Sequence, residues 1–386
     1  MSTIIQYKDK LAESIMKNTI IICFIIFLCL QCRFHSGDTT SQTSEVINFQ
    51  TLERIDDLGY AEKTFFDKPY FIKLKSNSQT LFGKIDQIKL LNNNIYVLDE
   101  RAKSLLVFDI NGSALGKIGT YGQGPNEYLD IACFDVDSIG NIYTIDGRLD
   151  KLFVYDNKFQ FVTSLKLPFE VDIMQILDNG NYMFGLSSWN NGKCKGDKIV
   201  ITDKDLNVIK SYLKYDEYID QNYWISGYQF VKLQNSIVYN RPIDNHIYIF
   251  SKKDGELDRD VLLDFGNENV PNEIKKDIER NLREFDDCIL LKEFAVVTDE
   301  FILGTVWYHR ESRTFIIDNK SHKVYLSPKN EDYDRSALTG FSDSTLISYI
   351  NPDFYQEYPN YGELPVDVID HLKSGDFVLS IRKIKH

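Results

Sequence analysis

An all-β fold built from one repeated four-stranded unit is what this sequence predicts, and three observations predict it. The first is a period. Ile95-Tyr96-Val97-Leu98-Asp99 recurs 47 residues later as Ile142-Tyr143-Thr144-Ile145-Asp146. Val107-Phe108-Asp109 recurs at the same step as Val154-Tyr155-Asp156, and the next step lands on Ile201-Thr202-Asp203. The second is alternation: a turn such as Ile139-Gly140-Asn141 precedes a strand of period two, and a second turn and strand follow. The third is composition, with 23 Tyr and 25 Phe against 4 Met in 386 residues, a bias that suits pleated strands. A repeat of about 40–50 residues holding about four strands is the unit of a β-propeller.

The elements follow in chain order. Ile20 to Leu30 reads IIICFIIFLCL, an apolar run of signal-peptide length and too short to cross a bilayer as a helix. Residues 1–31 are therefore expected to be a signal segment. Asp9 and Glu13 sit badly in its positive flank, and Met16-Lys17-Asn18 makes the better start. The run ends at Leu28-Cys29-Leu30-Gln31-Cys32, a pattern that resembles a bacterial lipoprotein signal, which implies that Cys32 carries lipid. An ordinary secretory signal, or lipidation at Cys29, stays open. A polar tether over 32–49 is expected next, then one propeller domain over 50–386. That span holds seven periods, and discounting its insertions leaves six.

Cys133, Cys194 and Cys288 are the cysteines beyond the signal. Their spacing makes no disulfide framework, and buried thiols are expected. Pro271 to Phe285 reads as one amphipathic helix with Ile274, Ile278, Leu282 and Phe285 on one stripe. Residues 351–365, rich in proline and aromatics, read as an ordered loop. The last strand, Phe377 to Ile381, is expected to close the ring against residues near 70–75, since closure must join the two ends of the chain.

Leu129-Asp130-Ile131-Ala132, Phe134-Asp135-Val136-Asp137, Gly140 to Asp146 and Lys151 to Asp156 resemble an NHL-type blade. Gly122-Gln123-Gly124-Pro125-Asn126-Glu127-Tyr128 resembles the G-x-G-P-x-E-Y segment of six-bladed propellers exported by Bacteroidetes. The likeness implies a six-bladed β-propeller with NHL-like blades and one inserted helix, in an exported lipoprotein. It implies no catalytic residue.

Function is thinner. The net charge of −13 with no basic patch excludes general nucleic-acid binding. Gly122 to Tyr128 lacks the third glycine of a dinucleotide fingerprint and reads as a crossover between blades, with φ > 0 expected at Gly122 or Gly124. Tyr121, which precedes it, and Gln123, Asn126 and Glu127 within it are the candidate ligand contacts. Asp135-x-Asp137-x-Ile139-Gly140 mimics a calcium loop but has Ile139 where an oxygen is needed, so a hairpin turn is the better reading. No histidine pair has zinc spacing and no nucleophile elbow occurs. Trp189, Trp224 and Trp307 read as inter-blade core or as sugar platforms. No cofactor is called for. The leading expectation is a binding or scaffolding module of the bacterial envelope, held to the membrane by lipid and contacting a protein or glycan through its loop face. The alternative is a hydrolase or lyase at the channel mouth, with a divalent metal as its option. An axis of apolar side chains and backbone favours the binder.

Overall fold

The computed structural model describes residues 44–216, 228–328, 337–357 and 364–385. Cys32, Cys29 and Trp224 lie outside them. Three four-stranded antiparallel sheets come first. Strands β4 (Gln87–Leu91), β5 (Asn94–Asp99), β6 (Ser104–Asp109) and β7 (Ala114–Ile118) make the first, in that order. The second holds β8 (Cys133–Val136), β9 (Ile142–Asp146), β10 (Lys151–Tyr155) and β11 (Phe161–Lys166). The third holds β12 (Val171–Ile176), β13 (Tyr182–Leu186), β14 (Asp197–Thr202) and β15 (Val208–Lys214).

The 47-residue period is visible as repeated hydrogen bonds. Asp109, Asp156 and Asp203 each close the hairpin between third and fourth strands, accepting from the backbone N–H groups two and four residues on at 2.8–2.9 Å. The left-handed position of that turn is Gly112 in the first unit but Phe159 and Leu206 in the next two, with φ of 81°, 68° and 64°. Asp99 and Asp146, both buried, are a second matched pair. Asp99 accepts from Gly83, Lys84 and Ala102 N–H, and Asp146 from Leu129, Asp130, Arg148 and Leu149 N–H. Each ties the end of its sheet's second strand to the segment leading into the first.

The remaining sheets are larger. A five-stranded sheet runs β2-β23-β22-β21-β20, from β20 (Ile289–Val297), β21 (Phe301–Tyr308), β22 (Glu311–Asp318), β23 (Lys323–Leu326) and β2 (Glu53–Ile55). A nine-stranded sheet contains two antiparallel runs. One is β16 (Val231–Leu233), β17 (Ser236–Tyr239), β18 (His246–Ser251) and β19 (Leu257–Asp264), edged by β1 (Glu45–Asn48). The other is β24 (Ala337–Asp343), β25 (Thr345–Ile350), β26 (Val378–Lys383) and β3 (Tyr70–Lys73). They join only where β16 lies parallel to β24, Lys232 opposite Ser342 and Leu233 opposite Asp343. The whole is propeller-like, with β4, β8, β12, β16, β20 and β24 innermost.

Closure occurs where the sequence places it. β3 pairs antiparallel with β26, Val378 opposite Lys73 and Ile381 opposite Tyr70. What the sequence does not announce is the rest of the N-terminal strap. Glu45–Asn48, assigned above to the tether, is strand β1, parallel to β19, and β2 runs parallel to β23. Between them Phe49 is fully buried against Phe265 and Phe315, ring centroids 5.0 and 6.1 Å away. Helix α1 (Leu58–Phe65) is capped by Asp57, which accepts from Tyr60 N–H at 3.0 Å, and it buries Leu58 and Ala61.

Two helical expectations need correction. The 271–285 helix is broken into α2 (Asn272–Lys275), α3 (Ile278–Asn281) and a 3-10 turn at Glu284–Asp287. Asp277 interrupts it, because its carboxylate captures Arg280 N–H and starts a new helix. Ile274, Ile278 and Phe285 are buried as expected, but Leu282 is 48% exposed. The supposed loop after residue 351 is helical over α4 (Pro352–Glu357), and α5 (Val366–Lys373) follows. Residues 358–363 of that loop lie outside the described residues. Cys133, Cys194 and Cys288 are free and buried, and burial pushes each thiol up.

Candidate functional site

A cavity opens where the first three sheets present the starts of their innermost strands and the ends of their second strands. It encloses about 700 Å³. Its wall carries six carboxylates, Asp86, Glu100, Asp130, Asp150, Glu170 and Asp172, against two cations, Lys84 and Arg101. Six acidic side chains against two basic ones make this an acidic cleft. Apolar surface comes from Ile131, Leu167, Phe169 and Ile173, and Trp189 stands at the edge, 38% exposed.

Each acid is placed by the repeat. Glu100 follows the buried Asp99, and its own N–H donates to Asp86 at 2.9 Å. Lys84 pairs with Asp86 at 2.5 Å. Glu100 is pushed up to about 7, first by desolvation and then by Asp86, with Lys84 opposing and Asp130 and Asp99 adding to the rise. Asp130 is held at the mouth because its backbone N–H is fixed by Asp146 at 3.2 Å. In the third sheet Asn190 does the tying, accepting from Glu170 N–H at 2.8 Å and donating to Glu170 O at 2.7 Å. Trp189 then donates its indole N–H to the Glu170 carboxylate.

Asp172 lies on β12. Ser187 Oγ donates to it, as does Tyr228 OH at 2.6 Å. Burial raises its pKa against the pull of those hydroxyls and of Arg241. Arg241 is only 3% exposed, lies 5.0 Å from the Tyr215 ring centroid, and its Nε has no hydrogen-bond acceptor.

None of the four candidate contacts lines this cleft. Tyr121, Gln123 and Asn126 are exposed on the neighbouring crossover, and Glu127 is turned inward, accepting from Gly124 N–H at 2.7 Å. The crossover is a closed turn: Gly122 N–H donates to Tyr128 O and Tyr128 N–H to Thr120 O, both at 3.0 Å. Neither Gly122 nor Gly124 has positive φ, which corrects the expectation. The left-handed glycine is Gly119, at φ +66°. The cleft acids were missed because each is a single residue beside a structural one. Their signal was positional, since Glu100 and Gly147 each follow the repeated buried aspartate.

The calcium-like run divides in two. Asp135 is buried on the axis, whereas Asp137 caps its hairpin, accepting from Ile139 N–H at 3.1 Å and Asn141 N–H at 2.8 Å. Among the described residues no group of three or more His, Cys, Asp or Glu is gathered closely enough to hold a metal.

The sheets and the cleft at their common end define a β-propeller-like protein. Within that class the chain belongs to the family described as a domain of unknown function, DUF4934, whose model matches residues 45–367. Among solved structures it is similar to an exported-protein candidate of Bacteroides fragilis, with 19% identity and a TM-score of 0.67, over 89% of this chain and 99% of that one. It is also similar to a DUF4221-family member from Bacteroides vulgatus, with 12% identity and a TM-score of 0.50, over 83% and 98%. Both likenesses concern the fold alone. Comparison with curated proteins finds no match. Among the described residues no helix is long and apolar enough to cross a membrane.

Proposed function

We propose that this protein is a six-bladed propeller of the bacterial envelope that works as a binding module. Its acidic cleft receives a partner protein through a lysine or arginine side chain. The carrying observation is the contrast between cleft and axis. The cleft holds six carboxylates and two cations around about 700 Å³. The axial cavity has Ile88, Leu90, Val136, Phe230 and Phe341 in its wall, and Asp135 there is already bonded to Lys89 and Gln175. Hydrolysis at the channel mouth would need a free carboxyl or imidazole on the axis, where the one acid in the wall, Asp135, is already bonded, whereas a cationic side chain needs the field of the cleft. Six blades are supported by the two-pair contact at which the nine-stranded sheet divides.

Binding of an arginine-containing peptide should weaken several-fold when Asp130→Asn and Glu170→Gln are combined, and weaken again with added salt. Equal binding by parent and variant would end this reading. The anchor belongs to the same proposal. Cys32→Ala should move the protein from the detergent phase to the soluble fraction, with Cys29→Ala unchanged.

One observation favours the alternative of a hydrolase. Glu100 at about 7 and the raised Asp172 give one cleft two carboxyls held toward the protonated form, as general acid catalysis requires. Release of reducing ends from envelope glycans, lost in Glu100→Gln, would move the assignment to that reading.

A further inference from the structure

Four consecutive sheets each send one polar side chain from the innermost strand to the axis: Lys89 from β4, Asp135 from β8, Gln175 from β12 and Lys232 from β16. Asp135 is 1% exposed and both its carboxylate oxygens are used. Oδ1 accepts from Lys89 Nζ, and Oδ2 from Gln175 Nε2 and from Ile176 N–H at 2.6 Å. Lys232 Nζ reaches only the Ile176 carbonyl, at 3.4 Å. Gln175 Oε1 is buried without a donor.

Lys89, Asp135 and Lys232 share the wall of one axial cavity of about 40 Å³. Much of the remaining wall is Ile88, Leu90, Val136, Phe230, Phe294 and Phe341. The polar set therefore carries two cations and one anion. An ammonium has three N–H donors, and this one has a single long bond. A charge left against apolar walls is costly unless a counter-charge joins it.

We propose that the axial cavity is a binding site for one small monovalent anion of the halide class, seated against Lys232 Nζ. Size supports this. A water needs roughly 10–15 Å³ of such space, so the cavity takes one small ion with one or two waters. A sugar or a nucleotide is too large. Charge supports it as well, because one unit of positive charge is left over after Lys89 and Asp135 pair. Aromatic and aliphatic walls suit a weakly hydrated ion better than a phosphate. The ion would join β16 electrostatically to the β4–β8–β12 cluster, at the point where β16 also meets β24. This site is separate from the acidic cleft, whose charge would repel the same ion.

The test uses the full folded chain. Thermal melts are run in sodium bromide and in sodium gluconate at matched ionic strength, gluconate being too bulky to enter. Bromide should raise the parent's Tm by a few degrees, because a ligand held only by the native state stabilises it by mass action. Lys232→Met should abolish the difference between the two salts, and Lys232→Arg should keep it. Crystals soaked in bromide should show an anomalous peak beside Lys232 Nζ. A parent that melts alike in both salts, or an equal bromide response in Lys232→Met, would overturn the proposal. If Lys232→Met does not fold, the anomalous map of the parent decides, and a cavity holding only water is a negative answer.

Discussion

The first three sheets and the sheets that follow them are secured by different means. Over residues 87–214 one kit of short-range bonds is reused every 47 residues: an aspartate closing each outer hairpin, and a buried aspartate or asparagine tying the second strand to the incoming crossover. Beyond residue 231 bonds over far longer sequence distances take over. β1, β2 and β3 come from the N-terminus to complete three strand runs whose other strands lie some 200–300 residues away. Arg313, 2% exposed, reaches Asp56 in the strap at 2.5 Å. The contrast teaches that strands supplied from elsewhere can secure the outer edges where the period fades, even where a hairpin aspartate persists, as Asp318 does between β22 and β23 by accepting from Lys320 and Ser321 N–H. It also gives each half its own weak point.

Phe49 is the strap's apolar anchor, so Phe49→Ala should show the largest effect. Removing a fully buried phenylalanine costs about 3–5 kcal/mol. Amide exchange should quicken in β1, β19, β2 and β23 and stay unchanged in β4 to β11. Uniform loss of protection across all sheets would show that the two halves are one cooperative unit. In the other half, Asp146→Ala leaves four N–H groups without their acceptor and should cost about 3 kcal/mol. Asp99→Ala should match it within about 0.5 kcal/mol if the two residues do the same job. Asp109→Ala, at a more exposed hairpin, should cost only about 1 kcal/mol. Chemical denaturation of the three variants checks the ranking.

That asymmetry also decides what the sequence could reveal. Asp109, Asp156 and Asp203 recur at fixed spacing because turn geometry demands an acceptor at that position, so the sheets of the first half could be read from residues alone. β3 could be placed because its four residues, Tyr70 to Lys73, alternate and a ring must close. β1 and β2 could not: Glu45–Asn48 and Glu53–Ile55 are too short for a period, and pairing across 200 residues leaves no local trace. The helix over 271–285 was legible in its buried stripe, but Asp277 was as good a cap as a helix residue. The cleft was nearly silent, since Asp86 and Glu100 of the first unit join Asp130 of the second and Asp172 of the third in one wall only when separate units are brought side by side.

Glycines in the crossover sharpen the account of the repeat. A side chain at Gly119 would be strained by its φ of +66° and would run into the Tyr155 hydroxyl. Gly119→Val should therefore cost about 1–3 kcal/mol. Gly124 has ordinary backbone geometry, and an added Cβ would lie 2.9 Å from Cδ of Glu127. Gly124→Val should displace that carboxylate and cost about 1 kcal/mol, the worth of one hydrogen bond. Gln123→Ala should melt like the parent. A larger drop for Gly124→Val than for Gly119→Val would reverse this assignment.

The smallest effect concerns one register position that differs between otherwise matched sheets. Glu100 follows Asp99 as Gly147 follows Asp146, so only the first sheet places a carboxyl there. Glu100 titrates near 7 in the fold against an ordinary 4.5. Between those values the native state keeps a proton that the unfolded chain has released, so stability declines as pH rises through the window. Glu100→Gln removes the group and with it this part of the decline. Asp172, also raised, is present in both proteins and cancels from their difference. Between pH 4 and pH 8 the urea midpoint should fall further for the parent than for Glu100→Gln. The variant should match the parent near pH 4, below the window, and exceed it modestly at pH 8, because the carboxyl is exposed on one side and solvent screens its neighbours. Parallel declines would mean that Glu100 ionises as an ordinary carboxylate, and that neither its burial nor Asp86 beside it holds the proton in place.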